Sequence, residues 1–434
     1  MVDRLKYWGQ LLLLPIYWCS FLVPRDKKIW LFGSTFGRRF ADNPRYLYLY
    51  ISQNKGKYGI RPIWISHKKD IVSFLRKNGY EAYYYHSLKG IWYALRGKVY
   101  LYDNYSKDIN FWQSGGAVKV NLWHGIPLKK IQADNIFDKF RHPENLWEKW
   151  KCFPRRLSDE KPHHYVLTTS EFLKPVFQSA FQTKHIFTSG YPRNDRLVSN
   201  KIKNLLTDTE KAGKRQIQQF LGRNYDKKHA VRQMSDKVSA CKKMVYYMPT
   251  FRESEEIFFD IMDLKKFRKF LKENKMLFCT KLHPKSKLRK EFDAISGDNI
   301  LVIDADTDPY VFLEMADVLV TDYSSIYFDF LLTGKPIIFF NYDLDEYLRD
   351  SREMYFDYEA FTPGEKAADQ EALEKALLHA CSQDKVVEQQ YKRQREKMAG
   401  RMFQDRVGLA SERLTRDVLK AVQGRKRKRH GGLI

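Results

Sequence analysis

The stretch from Asp317 to Asp343 reads DVLVTDYSSIYFDFLLTGKPIIFFNYD. Asp317-Val318-Leu319-Val320-Thr321 is short, apolar and rich in β-branched residues, which suits a strand buried on both faces. Asp322-Tyr323-Ser324-Ser325 then supplies helix-capping side chains. The predicted helix carries Ile326, Phe330 and Leu331 at helical spacing and stops at Gly334. Pro336 to Phe340 reads as the next buried strand. Such a strand-helix-strand unit belongs to a parallel sheet. Its Ser-Ser corner would present backbone N–H groups at the positive end of a helix dipole, a seat for phosphate. The same residues also fit an ordinary βαβ unit with a well-capped helix, and this stretch alone leaves both open.

Outward from it the pattern repeats. Strands are expected at 28–34, 60–66, 81–85, 98–102, 118–123, 165–170 and 186–190, and again at 244–248, 276–280 and 299–303. Helical segments separate them, with Pro44 in a first turn and Ser170 as a helix cap. Alternation throughout argues for an α/β chain with two Rossmann-like, doubly wound domains. The expected division is a membrane-associating segment at 1–27, an N-terminal Rossmann-like domain at 28–200 and a polar linker or excursion at 201–243. A C-terminal Rossmann-like domain at 244–385 and C-terminal helices with a basic tail at 386–434 complete it.

The chain has 434 residues, long enough for two sizeable cores. Lys and Arg exceed Asp and Glu by 77 − 52 = 25, which favours an anionic partner. No RRM, KH, helix-turn-helix or zinc signature appears, so nucleic acid is not expected. The five cysteines are scattered without a CxxC pair, as in a reducing compartment. Trp8 to Pro24 is apolar, aromatic and flanked by Arg and Lys, yet short for a spanning helix and interrupted by Gln10 and Pro15. It suits attachment to an anionic membrane surface, with a single span or a buried helix as alternatives.

Polar clusters stand at the C-terminal ends of the expected strands, where open α/β sheets bind ligands. They are His124-Gly125, Arg193 with Asp195, Thr250 with Arg252, Lys281 with His283, and Ser324-Ser325. Two such domains facing each other would enclose a cleft suited to a diphosphate. No Asp-x-Asp pattern or histidine cluster is read as having metal spacing, so no metal or other cofactor is expected, and cationic side chains and backbone dipoles take that place. His124 and His283 serve equally well as structural histidines. His163 and His164 point to opposite faces of a strand and read as structural. Asp329 lies a helical turn beyond Ser324-Ser325, where it could accept from ribose hydroxyls or merely favour the helix N-terminus.

Taken in order, five motifs carry a resemblance: Trp123 to Lys129 (WHGIPLK), Gly190 to Asp195 (GYPRND), Pro249 to Arg252 (PTFR), Lys281 to Pro284 (KLHP), and Thr321 to Ser325 (TDYSS) with Phe328-Asp329. Together they resemble the CDP-glycerol glycerophosphotransferase family of teichoic acid and capsule synthesis. Asp42-Asn43-Pro44 with Tyr46-Leu47 resembles that family's N-terminal region. The resemblance implies a GT-B-like fold, metal-independent transfer and a peripheral enzyme on the cytoplasmic face of the cell membrane. It implies an acceptor-side domain at 28–200 and a donor-binding domain at 244–385, with His124 as base and His283 at the donor. Gly125, Ile126, Pro127, Leu128, Arg193, Thr250, Phe251, Arg252, Lys281, Leu282, Ser324, Ser325 and Asp329 would line the substrate site. Family members usually carry threonine where this chain has Ile126. The implied donor is CDP-glycerol or a related CDP-alditol such as CDP-ribitol, and the acceptor is lipid-linked or polymeric. A GT-B glycosyltransferase using a nucleotide sugar remains the alternative, and self-association is left open.

Overall fold

The computed structural model describes residues 7–159, 163–199, 202–222, 242–252, 255–283, 285–297, 299–350, 353–381, 385–406 and 408–430. Among these residues two parallel sheets form. The first holds β1 (Asp26–Phe32), β2 (Arg61–Ser66), β3 (Ala82–Tyr84), β4 (Gly97–Tyr102), β5 (Val118–Asn121), β6 (Tyr165–Leu167) and β7 (Ile186–Phe187). Their spatial order is β3-β2-β1-β4-β5-β6-β7. The second holds β8 (Lys243–Tyr247), β9 (Met276–Thr280), β10 (Ile300–Val302), β11 (Val318–Thr321), β12 (Ile337–Phe340) and β13 (Glu365–Ala367). Their order is β10-β9-β8-β11-β12-β13. All pairings within both sheets are parallel.

The strand order reverses between β1 and β4, and again between β8 and β11. Both sheets are therefore doubly wound, with a topological switch point at each reversal. Two Rossmann-like sheets in one chain give the α/β, GT-B-like class expected. The strands form where apolar runs can be buried on both faces: Ile29 to Phe32 in β1 and Ile337 to Phe340 in β12 are buried throughout. One core gathers Ile29, Leu31, Ile63, Ile65 and Tyr100. The other gathers Val245, Phe278, Val318, Val320 and Ile338.

The chain divides into two compact units. The first comprises 1–124, 131–205 and 402–434; the second comprises 125–130 and 206–401. The last helix, Ala410–His430, thus belongs with the first unit, and it includes the stretch expected to be a loose basic tail. Its first turn is seated on Asp195, whose carboxylate accepts from the Ala410 N–H (2.6 Å) and the Ser411 N–H (3.0 Å). Burial pushes the Asp195 carboxyl up to about 6. Part of the polar excursion at 201–243 is the helix Asp208–Leu221, closed by a Thr207–Glu210 capping box; residues 223–241 lie outside the described residues. Ser170 is not the cap expected of it. The helix after β6 starts at Lys174 behind Leu173, without a side-chain cap.

Near the N-terminus a short 3₁₀ turn, Gln10–Leu13, leads into the helix Leu14–Cys19. Among the described residues no helix is long and apolar enough to cross a membrane. Tyr17 stacks on Phe111 with ring centres 4.8 Å apart, and the Ser20 hydroxyl accepts from the Gly115 N–H at 2.9 Å. Beneath this contact lies Lys119 of β5, buried, its Nζ 5.4 Å from the Tyr17 ring centre and 5.5 Å from that of Phe111. Among the described residues no carboxylate pairs with it. Burial, aided by the nearby Arg25 charge, lowers its ammonium to about 7.

The folded state therefore binds this proton more weakly than the unfolded chain, whose lysine titrates near ~10.4. The penalty is absent above that value, grows as pH falls and is complete below about 7. Lys119→Met should raise stability at pH 6–7 by a few kcal/mol, since each tenfold loss of proton affinity on folding costs about 1.4 kcal/mol. Urea unfolding from pH 6 to 10 would show the gain shrinking as pH rises; a pH-independent gain would refute this account.

Candidate active site

In the first unit the strand β5 ends at Asn121, and the backbone turns sharply at Trp123, whose φ is +52°. A left-handed tryptophan costs about 1–3 kcal/mol unless its surroundings impose it. Two buried asparagines do so. Asn121 Oδ1 accepts from the Trp123 N–H at 2.8 Å, and Asn43 Nδ2 donates to the carbonyls of Leu122 (3.2 Å) and Trp123 (2.8 Å). The turn leaves His124 exposed at the sheet edge, its ring 3.9 Å from that of Trp123. His124 Nδ1 faces the Asp103 carbonyl at 3.3 Å. With the proton on Nδ1 toward that carbonyl, Nε2 is left as the basic nitrogen.

Arg193 lies under this loop rather than on it. It is buried, its Nη1 donating to the Asp42 carboxylate (2.8 and 3.0 Å) and to the His124 carbonyl (2.8 Å). Its own N–H donates to Asn43 Oδ1 at 3.2 Å. Arg193 therefore fixes the histidine's backbone and is not placed as a direct substrate ligand. Asp103 follows β4 and closes the first switch point. Its carboxylate accepts from the Ser34 hydroxyl (2.5 Å) and the Thr35 N–H (2.9 Å) beyond β1. Burial, then the neighbouring Asp108 and Asp42 charges, push the Asp103 carboxyl well up, and burial pushes Asp108 up to about 6.

In the second unit Asp322 holds the equivalent position after β11. It accepts from the N–H groups of Thr250 (2.9 Å) and Ser324 (3.2 Å) as well as Tyr323. The amides expected to wait for phosphate are thus partly engaged within the loop. Ser325 is the N-cap residue of the helix Ile326–Phe330 without a side-chain cap bond. The Ser324 and Ser325 hydroxyls are half-buried and make no hydrogen bond among the described residues, and the buried Thr250 Oγ1 likewise has no partner there. Lys281 Nζ donates to the Ala305 carbonyl at 3.0 Å. His283 is exposed beside the Phe251 ring (4.5 Å), and its Nδ1 accepts from the Lys285 N–H at 3.2 Å.

Other expected site residues have different duties. The Arg252 guanidinium, almost wholly buried, bridges Asp322 (2.7 Å) and Asp343. Burial alone would lower its pKa, but the two carboxylates outweigh burial and raise it. It is a clamp between two loops and not a cation held ready for phosphate. Asp329 is fully buried and accepts from the Tyr310 hydroxyl at 2.7 Å, so it does not face a ribose. Leu282 is core. Gly125, Ile126, Pro127 and Leu128 are buried in the second unit, where the Leu128 carbonyl accepts from the Tyr355 N–H at 2.9 Å.

Sequence reasoning passed over Asp103 and Asp343, left Asp42 and Asn43 without roles and read Asp322 only as a helix-capping residue; the standing of Asp103 and Asp322 at strand ends was the available signal. Its expectation of no Asp-x-Asp pattern is corrected by the alternating acids Asp304, Asp306 and Asp308. Asp304 and Asp308 accept from the N–H groups of Asp306 and Tyr310. Among the described residues no three His, Cys, Asp or Glu side chains lie close enough to hold a metal ion.

Arg252→Ala should leave two buried carboxylates unpaired and cost about 3–5 kcal/mol of stability. Urea unfolding measures this. A variant as stable as the parent would return Arg252 to the list of ligand cations.

Comparisons with known proteins bear on the family and the fold. Residues 16–420 match the family described as CDP-glycerol:poly(glycerophosphate) glycerophosphotransferase. The teichoic acid poly(glycerol phosphate) polymerase of Bacillus spizizenii is 29% identical over 369 residues, spanning 79% of this chain and 81% of that protein. The teichoic acid glycerol-phosphate transferase of Staphylococcus aureus is 28% identical over 362 residues, spanning 81% and 84%. A solved structure of the wall teichoic acid polymerase TagF shares the fold, with a TM-score of 0.69, 23% identity and 98% of each chain covered. The chain belongs to the CDP-glycerol:poly(glycerophosphate) glycerophosphotransferase family.

Proposed function

We propose that this member of the family transfers glycerol phosphate from CDP-glycerol to a hydroxyl of a lipid-linked or polymeric acceptor in teichoic acid or capsular polymer synthesis. The acceptor oxygen attacks the β-phosphorus, the bond from that phosphorus to the bridging oxygen breaks, and CMP leaves. His124 Nε2 takes the hydroxyl proton. The observation that carries this role is the strained, doubly buttressed Trp123 turn, which holds His124 exposed with Nδ1 directed at a carbonyl. The hydroxyls of Thr250, Ser324 and Ser325, with His283 and Lys281, receive the diphosphate and the charge of a loose transition state. Arg193 and Arg252 act at one remove, by holding backbone. No metal or other cofactor takes part in this reading.

We propose further that the first unit docks on the cytoplasmic face of an anionic membrane. Its N-terminal segment exposes Leu12, Ile16, Trp18 and Leu22, with Phe21 half outside although its ring meets Tyr17 edge-on at 5.3 Å. Trp8 stacks on Trp150 (4.2 Å) of the helix Leu146–Asp159, which exposes Trp147 and Phe153 beside Lys149 and Lys151. Apolar aromatics flanked by lysines suit an anionic lipid interface.

The deciding measurement is CMP release from CDP-glycerol, with CDP-ribitol and UDP-sugars in parallel and teichoic-acid-producing membranes as acceptor. Release from CDP-glycerol should fall about 10²–10⁴-fold in His124→Ala, with donor binding retained. Turnover of a UDP-sugar alone would transfer the protein to the glycosyltransferases. For membrane docking, Trp18→Ala with Trp150→Ala should weaken partitioning onto phosphatidylglycerol vesicles about tenfold. Unchanged flotation with those vesicles would remove the face from the account.

A further inference from the structure

Away from His124, the first unit carries an open cavity of about 680 Å³ walled by one face of the helix Lys69–Lys77 and by the segment after β3. Lys69, Ser73, Arg76 and Lys77 recur at spacings of four, three and one, which puts them along one side of the helix. Tyr84 and His86 form the opposite wall. No acidic side chain lines the cavity. Among the described residues no carboxylate pairs with Lys69, Arg76 or Lys77. The nearby Glu81 is engaged elsewhere, by Arg61 (2.7 and 2.9 Å) and the Tyr83 hydroxyl (3.0 Å). Arg76 is held in place by its Nε donating to the Ala82 carbonyl at 2.7 Å and by the Tyr83 ring at 4.9 Å. Lys69 lies 5.5 Å from the Tyr84 ring centre.

Three uncompensated cations on one groove wall repel one another, an arrangement that an anion relieves. They extend over about 12 Å of helix, at ~1.5 Å per residue. That span exceeds one phosphate and suits a chain bearing phosphates at intervals. The cavity is open, as a chain passing through it requires, and hydroxyls of Ser73 and Tyr84 stand among the cations.

We propose that this groove binds a stretch of glycerol-phosphate polymer, holding the growing anionic chain at a place separate from the reacting end. This rests on the proposed function for the polymer's identity. The chemistry recognised is a series of phosphodiesters spaced by hydroxylated carbons. Retention of the chain there between additions would favour repeated transfer to the same molecule.

The test uses the full chain and a fluorescent glycerol-phosphate oligomer, read by anisotropy at several salt concentrations. The variant is Lys69→Gln, Arg76→Gln and Lys77→Gln together. These exposed substitutions should change stability little, and thermal unfolding checks that. A control of equal charge change is Lys265→Gln, Lys266→Gln and Lys269→Gln, on the exposed face of the helix Leu264–Glu273 in the second unit.

The groove variant should bind the oligomer about tenfold or more weakly, with a shallower salt dependence, by up to ~0.7 in log–log slope per cation removed as for single-stranded nucleic acid. The control variant should bind as the parent does. CMP release with a short acceptor should persist in both, while the groove variant's products become shorter. Equal oligomer affinity in the groove variant and the parent would overturn the proposal. So would inorganic phosphate binding as tightly as the oligomer. Loss of phosphatidylglycerol vesicle binding in the groove variant, with oligomer affinity intact, would assign the groove to lipid instead. A parent enzyme that binds the oligomer through the groove yet releases no CMP from CDP-glycerol would contradict the proposed reaction and leave the groove standing.

Discussion

An aspartate at each topological switch point holds both sites in shape. Asp103 ties the end of β4 to the loop after β1, and Asp322 ties the end of β11 to the loop after β8. Parallel strands stop together at these points, so their following loops would otherwise leave amide groups unsatisfied in a half-buried place. A carboxylate accepts several N–H bonds at once, at the cost of burying charge. The two units meet that cost differently. Arg252 neutralises Asp322 and Asp343, whereas Asp103 sits beside Asp108 with its proton affinity raised. Thr250 and Ser324 hang on loops that Asp322 anchors, and His124 Nδ1 faces the backbone carbonyl of Asp103.

The two doubly wound sheets were legible because strands buried on both faces read as unbroken apolar runs. Val318 to Thr321 and Ile337 to Phe340 stand out against the polar helices between them. The positions of His124 and His283 were legible too, since each follows the apolar run of a strand. What the residues do for one another was less so. Arg193 meets Asp42 across 151 positions and Arg252 meets Asp343 across 91, and no local pattern reports such pairings. Hence two arginines expected to line the substrate site are bonded to carboxylates. Asp329 had the right spacing along its helix but lies on the inner side, bonded to Tyr310.

The N-terminal segment shows the same limit from another side. Its hydropathy marks it as apolar, yet its two faces differ. Tyr17 and Ser20 are committed to the first unit, and Leu12, Trp18 and Leu22 are left outside. Trp8 then joins it to Trp150, so one aromatic surface is assembled from segments more than a hundred residues apart. Lys119 beneath Tyr17 is a charge that the packing of this segment encloses. Ser170, by contrast, had the composition of a cap and is not one, because the helix it precedes starts four residues later.

The route of the chain between its two units sets an order on biosynthesis. The first unit includes residues 402–434, and the Ala410–His430 helix rests on Asp195. The second unit needs nothing beyond residue 401. On the ribosome, then, every residue of the second unit has been made before the helix that rests on Asp195. The unit bearing His124 is therefore the later of the two to have all its residues made, although the groups that hold the Trp123 turn, Asn43, Asn121 and Arg193, are made early.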